Sequence, residues 1–467
     1  MNEVNAEDFG HRPLAEESGS GIGNMLIVGA NSYCDGWNSG AAYVFGMKKN
    51  RRSENGKQAK NLSLWMEDKM KSRKLIYVAA LTLFAFVPAA MASSKWYVDG
   101  VHGSDNNNCE SRRHACKTIS NALSLTLPGD FIFVAPATYH ETLFIYFNLE
   151  IIGSGAKTTI VDGGGVNSQV VVVGSEPKVP VTLSKMTFRN GAGQEDGGGI
   201  YNCFGTLTVI DSIITGNRIT SGNGSFGYGA GIYNCPSSTL TLINTTVSNN
   251  SALIGGAICN GGTLTIINGT ISGNVARQHE GGGIANYGTL TITNSTFSGN
   301  IARPSLLGSV AGGILNGGLF QSAGTLAINN STLSGNVARG GKGSGIFNVK
   351  ESTVVLQNSI VANNTGGNCH GAVTSEGYNL SSDSTCDFDA AGDLNNTDPS
   401  LGGLRNNGGP TKTLALLPGS PAIDSGNPSG CTDGKGHLLK TDQRGKPRPD
   451  KEDSGGCDRG AYERQKD

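Results

Sequence analysis

Residues 283–300, GIANYGTLTITNSTFSGN, hold three short apolar stripes separated by Gly and Asn: Ile284, then Leu290 and Ile292, then Phe297. Within Leu290-Thr291-Ile292 the alternation has period two, the mark of a strand with one buried face. The first stripe recurs at Ile200, Ile232, Ile258, Ile284, Ile314 and Ile346. The second recurs as Leu207/Val209, Leu240/Leu242, Leu264/Ile266, Leu290/Ile292, Leu326/Ile328 and Val354/Leu356. The third gives Ile214, Val247, Ile271, Phe297, Leu333 and Val361. No window carries helical spacing, and each interior Gly would cost a helix about 1 kcal/mol. One copy therefore supplies three strands and three corners. Stacked copies put strand on strand about 4.8 Å apart around a dry interior. The fold class this predicts is all-β, a right-handed parallel β-helix with three short strands per coil.

The polar positions repeat as faithfully. Asn stands two residues after each first-stripe Ile, at 202, 234, 260, 286, 316 and 348. A second column runs Asp211, Asn244, Asn268, Asn294, Asn330 and Asn358, and a third Asn217, Asn250, Asn274, Asn300, Asn336 and Asn364. Asn tolerates the left-handed backbone of a sharp corner, and stacked amides can bond along a column. These columns read as structural corner-formers and ladders. Intervals in the third column vary between 24 and 36 residues, so the variable length must sit in loops. Before the regular copies, Phe131–Val134, Leu149–Ile152, Thr159–Val161, Val170–Val173 and Val181–Phe188 read as less regular opening coils, with a capping helix over Thr118–Leu125.

Composition agrees. Gly makes up 70 of 467 residues and charged residues only 16%, a mix for tight turns and short strands. A net charge of −1 implies no polyelectrolyte partner such as nucleic acid. Met70-Lys71-Ser72-Arg73-Lys74, the apolar run Leu75–Val87 and Ala90-Met91-Ala92 have the order of a secretory signal peptide, too short to span a bilayer. The expected organisation is an upstream extension over 1–69, with the start at Met66 or Met70, a signal peptide over 70–92, the β-helix over 93–365, and a loop-rich region over 366–467. Export makes the close pairs Cys109/Cys116, Cys369/Cys386 and Cys431/Cys457 expected disulfides. Cys203, Cys235 and Cys259 lie inside the repeat, and no Cys/His spacing suggests a metal site.

Trp96-Tyr97-Val98-Asp99, Gly103-Ser104-Asp105, Cys116-Lys117-Thr118-Ile119 and Pro128-Gly129-Asp130-Phe131-Ile132-Phe133-Val134-Ala135-Pro136 resemble the opening of pectin-lyase-like β-helix proteins of bacteria. Pro418-Gly419-Ser420-Pro421-Ala422-Ile423-Asp424, Asp442-Gln443-Arg444-Gly445, Arg448-Pro449 and Cys457-Asp458-Arg459-Gly460-Ala461-Tyr462-Glu463 resemble the choice-of-anchor Q region. Gly255-Gly256-Ala257-Ile258 and Phe297-Ser298-Gly299-Asn300 are similar to repeats of chlamydial polymorphic outer-membrane proteins. The resemblance spans roughly 96–463 and implies a secreted or cell-surface protein without a defined activity.

Chemistry is sparse on the regular coils. Glycoside hydrolysis generally needs two facing carboxylates, yet 197–365 holds only Asp211, Glu280 and Glu351. A lyase needs a base, and usually calcium on clustered carboxylates; the six bases Arg218, Arg277, Arg303, Arg339, Lys342 and Lys350 have no such cluster beside them. His279, His140 beside Glu141, and Asp383, Asp387, Asp389 and Asp393 read as solvated loop residues, and Gly163-Gly164-Gly165 as a turn. No catalytic residue, metal or cofactor is assigned. Arg277, Arg303 and Arg339 each follow a closing Asn by three residues, so the coils should stack them. Such a column suits an acidic polysaccharide or cell-envelope glycan, or it is an inherited repeat with no ligand. The expected function is non-catalytic binding, adhesion or structure; a carbohydrate-active β-helix enzyme is the alternative.

Overall fold

The computed structural model describes strands at 26–32 and 39–45 and the chain over 93–466, except 166–167, 175–177, 194–195, 221–226, 279, 305–309, 319–322 and 451–455. The signal-peptide segment 70–92 lies outside the described residues, as do Cys34 and His279. Leu26–Ser32 and Ser39–Phe45 pair with each other as a separate two-stranded sheet.

From Lys95 onward the chain winds as a right-handed parallel β-helix. Among the described residues its coils form sheets of nine, eleven and ten strands, one for each stripe, paired throughout in parallel. The repeat registers residue on residue. Ile284 pairs with Ile258 and Ile314, Leu290 with Leu264 and Leu326, and Phe297 with Ile271 and Leu333. All of these side chains are fully buried and belong to one continuous core running from Val98 to Phe388. At about 25 cal/mol per Å² of apolar surface, this shared core is what holds the coils together.

The three polar columns do different physical work. At the corner between the second and third sheets, Asp211, Asn244, Asn268, Asn294, Asn330 and Asn358 take φ between 47° and 54°. That is the left-handed backbone in which Asn is the least penalised side chain after Gly. The other two columns are ladders, not left-handed corners. Each Asn234, Asn260 and Asn286 amide donates to the next carboxamide at 2.7 Å. Asn217, Asn250, Asn274, Asn300, Asn336 and Asn364 form a second ladder with spacings of 2.9–3.0 Å, each backbone N–H donating to the next side chain as well. All six are buried. At that third corner the positive φ falls on neighbours such as Gly273, Gly299 and Gly335.

The coil also has a part that the three-strand reading lacks. A fourth parallel sheet joins Ser251–Ala252, Val275–Ala276, Ile301–Ala302 and Val337–Ala338, just after the closing Asn. Its alanines point inward. The chain then crosses close over it: a Cβ on Gly282 would lie 2.5 Å from the Ile301 carbonyl carbon, so only Gly fits there.

The open end is capped by the helix Ile119–Leu125. Thr118 accepts from Asn121 N–H as N-cap, and Glu141 accepts from Ile119 and Ser120 N–H at 2.9 and 2.8 Å. A single 3₁₀ turn, Arg112–His114, is the other helical piece of this region. At the far end the stack continues past Thr365 through Cys369–His370, Thr374–Ser375 and Leu380–Ser381. The remaining tail folds back along the coils.

Candidate binding surface

The fourth sheet carries the arginine column. Arg277 N–H donates to the Ala252 carbonyl at 2.9 Å, Arg303 N–H to Ala276 at 2.9 Å and Arg339 N–H to Ala302 at 3.0 Å. Three arginines thus leave the same point of three successive coils. Their side chains differ. Arg303 and Arg339 are exposed. Arg277 is half-buried, its guanidinium donates to the Ile219 carbonyl, and its Nε is buried without a partner. Burial, and then the like charges of Arg218 and Arg303, hold Arg277 below the ordinary arginine range.

Arg218 therefore belongs to this face. Sequence spacing hid it, because it follows its closing Asn by one residue, not three. It sits on a β-bridge to Ser251, at the start of the fourth sheet, and is exposed. Lys342 bridges to Val310 along the same flank and is exposed too.

Of the acidic residues of the regular coils, Glu280 bridges to Val310, as Lys342 does, and lies along the same flank, while Asp211 and Glu351 are placed elsewhere. Asp211 turns the corner between the second and third sheets and accepts from the Asn244 amide at 3.0 Å. Glu280 is not a solvated loop acid: it is buried and accepts from the Tyr287 hydroxyl at 2.6 Å. Glu351 stands exposed in a turn with φ 71°. Asp162 takes a structural part, holding the Gly163–Gly165 turn through Gly164 N–H and pairing with Arg189 at 2.7 Å. Burial raises its carboxyl, but the Arg189 contact and the Gly164 and Asn190 donors outweigh it and hold the group low.

The tail has its own charged cluster, and this one is internal. Asp442 pairs with Arg444 at 2.8 Å and Arg448 with Glu463 at 2.6 Å, all buried. The Arg444 guanidinium lies 3.6 Å over the Tyr462 ring. The same segment grips the β-helix: Arg448 donates to Asn294, Gln443 to the Gly269 carbonyl, and Asn330 to the Thr432 carbonyl. The tail motif residues are thus occupied as a clasp. Asp383 and Asp393, which sequence reads as solvated acids, instead accept backbone N–H groups of Asn368 and Asn379. Among the described residues no three acidic, His or Cys side chains gather as a metal site.

Disulfides join Cys109–Cys116, Cys369–Cys386 and Cys431–Cys457, and a fourth, Cys203–Cys235, joins adjacent coils. Among the described residues no helix is long and apolar enough to cross a membrane.

No known protein family matches the sequence, and no curated protein does either. Solved structures similar to it include the native GH136 lacto-N-biosidase of Eubacterium ramulus, at 10% identity and a TM-score of 0.33, over 62% of this chain and 64% of that one. A selenomethionine form of that enzyme matches at 12% and 0.31, over 62% and 60%. A pectin methylesterase in complex with a hexasaccharide matches at 10% and 0.25, over 62% and 79%. The chain thus spans under two thirds of the first of these proteins.

Proposed function

We propose that this is an exported, non-catalytic β-helix protein that holds an acidic polysaccharide, such as a cell-envelope glycan, along the fourth sheet. The observation that carries the reading is the backbone ladder that repeats Arg277, Arg303 and Arg339 coil by coil, with Arg218 joining below. A linear polymer with regularly spaced carboxylates or sulfates could follow that row parallel to the helix axis, bound by charge-assisted contacts. Asp211 is committed to a corner on another face, and Glu280, on the same flank, is buried and accepts from the Tyr287 hydroxyl, while the Arg303 and Arg339 side chains stand exposed. Disulfides suit an oxidising compartment. Each exposed contact is modest, so affinity should come from the array and fall with salt.

The test is calorimetry of the protein against pectate-like and sulfated polysaccharides at low and moderate salt, beside R277Q/R303Q/R339Q. Because Arg277 also holds the Ile219 carbonyl, R303Q/R339Q is run separately. Binding to wild type that weakens with salt and fails in both variants supports the reading. No binding at low salt, equal binding by the variants, or release of shorter products overturns it.

A further inference from the structure

The outer face of the second sheet carries a regular threonine lattice that neither the arginine row nor the core requires. Thr206, Thr239, Thr263, Thr289, Thr325 and Thr353 stack in register as one column. Two residues along the strand, Thr182, Thr208, Thr241, Thr265 and Thr291 form a second. The residue between each pair, such as Leu240, Leu264 or Leu290, is fully buried, so both columns face outward and are at least partly exposed. Strand separation sets about 4.8 Å between rows, and two residues of rise set about 6.7 Å between columns.

Three features separate this face from ordinary strand composition. The outward strand positions of the six coils from Thr206 to Gln357 hold no charged residue; the third column is Ile210, Ile243, Ile267, Thr293, Asn329 and Gln357. Of these, Thr293 and Asn329 are buried and Gln357 accepts from the Thr432 hydroxyl of the tail, so the open part of the face is the two threonine columns. Among the described residues, none of these two columns' hydroxyls makes a side-chain hydrogen bond within the chain. Thr270, Thr296 and Thr332, on the neighbouring sheet, are by contrast taken up by Lys412, Gln443 and Ala461 of the tail. Finally, the array has no Trp, Tyr or Arg, the residues that anchor protein partners. It also lacks the aromatic faces that stack on sugar rings.

An uncharged, in-register grid of methyl and hydroxyl groups fits an ordered lattice of water. Its two spacings lie close to the oxygen repeats on a prism face of hexagonal ice. Methyl groups can settle between lattice waters while hydroxyls replace some of their hydrogen bonds. β-branched Thr, stiff at χ1, presents both groups without reordering. We infer that this face, separate from the arginine row, binds ice.

The experiment measures thermal hysteresis and inhibition of ice recrystallisation by the full chain. It is run beside T241Y/T265Y, which breaks the plane, and the conservative T241V/T265V. Circular dichroism melting verifies that each variant is folded. The expected result is faceted ice growth with wild type and a loss of about tenfold or more in the tyrosine variant, since contact along an array is lost together. The valine variant should keep more activity than the tyrosine one. Folded wild type that neither shapes ice nor slows recrystallisation overturns the inference, as does a folded tyrosine variant of undiminished activity. Retention on insoluble cellulose or chitin that the tyrosine variant loses, with no effect on ice, would assign the face to a crystalline glycan instead.

Discussion

Asn300 shows how much one side chain carries in this fold. Its carboxamide oxygen accepts from both the backbone and the side chain of Asn274, and its amide donates to Asn336 and to the Ile271 carbonyl, all within 2.9–3.1 Å. Such columns were legible in the sequence because every coil needs the same residue at the same place. What the sequence did not separate was their chemistry. The Asn294 column bends the backbone, whereas the Asn300 column sits in ordinary backbone beside the residues that do the bending, glycines in four coils and Asn249 and Asn363 in the other two. Inward and outward positions were legible from the period-two alternation, and this supports a direct contrast. Ile284→Asp places an unpaired charge among fully buried neighbours and should cost upwards of about 3 kcal/mol. Thr291→Asp, outward on a neutral face, should cost within about 1 kcal/mol. Chemical denaturation of both variants measures this, and equal losses would mean that the stripe assignment fails.

At the scale of elements, the three main strands announced themselves, but the fourth did not. A two-residue strand such as Val275–Ala276 has no alternation to read, and it became visible only as the segment that carries Arg277. The disulfide between Cys203 and Cys235 was equally hidden, since the two lie 32 residues apart and meet only when the coils stack. The opening strand Lys95–Val98 depends on one carboxylate. Asp130 accepts from Ser94 N–H at 2.7 Å, the Trp96 indole at 2.8 Å and Leu127 N–H at 2.8 Å. Burial raises its carboxyl, but the three donors together outweigh burial and hold it below the ordinary carboxylate range. A carboxyl depressed by folding contributes stability that is full above its unfolded value and is lost as pH falls through the folded one. Amide exchange at 95–98 should therefore accelerate in wild type as pH falls below the ordinary carboxylate range. Asp130→Asn should raise exchange at neutral pH and flatten that acid step. A wild type with pH-independent protection there would remove Asp130 from this role.

At the scale of the whole molecule, the tail decides the shape of one flank. Its contacts join residues up to 174 positions apart, as from Gln443 to Gly269, and nothing local in the sequence signals such pairs. The motif residues Asp442, Arg444, Arg448 and Glu463 were recognisable as a set, but their part as a buried clasp came from the structure alone. Glu463→Ala leaves Arg448 buried and uncompensated, at a cost of about 3–5 kcal/mol. Limited proteolysis should then release the tail while the coils stay protected, and R448M/E463L should recover much of the loss. A tail equally protected in Glu463→Ala would show that the clasp is dispensable.

Both proposed surfaces exist only if the coils stack in the stated register, and disulfide trapping measures that register directly. Thr265 and Thr291 face each other on adjacent coils, at a separation of about 4.8 Å that a disulfide can bridge. Thr293 lies on the same face but two residues further along, at about 8 Å on the diagonal, beyond that reach. Thr265→Cys/Thr291→Cys should form the new bond on mild oxidation, seen by peptide mapping with the native disulfides intact, while Thr265→Cys/Thr293→Cys should stay reduced. Crosslinking of the diagonal pair in preference to the direct one would contradict the register, and with it both the arginine row and the threonine lattice.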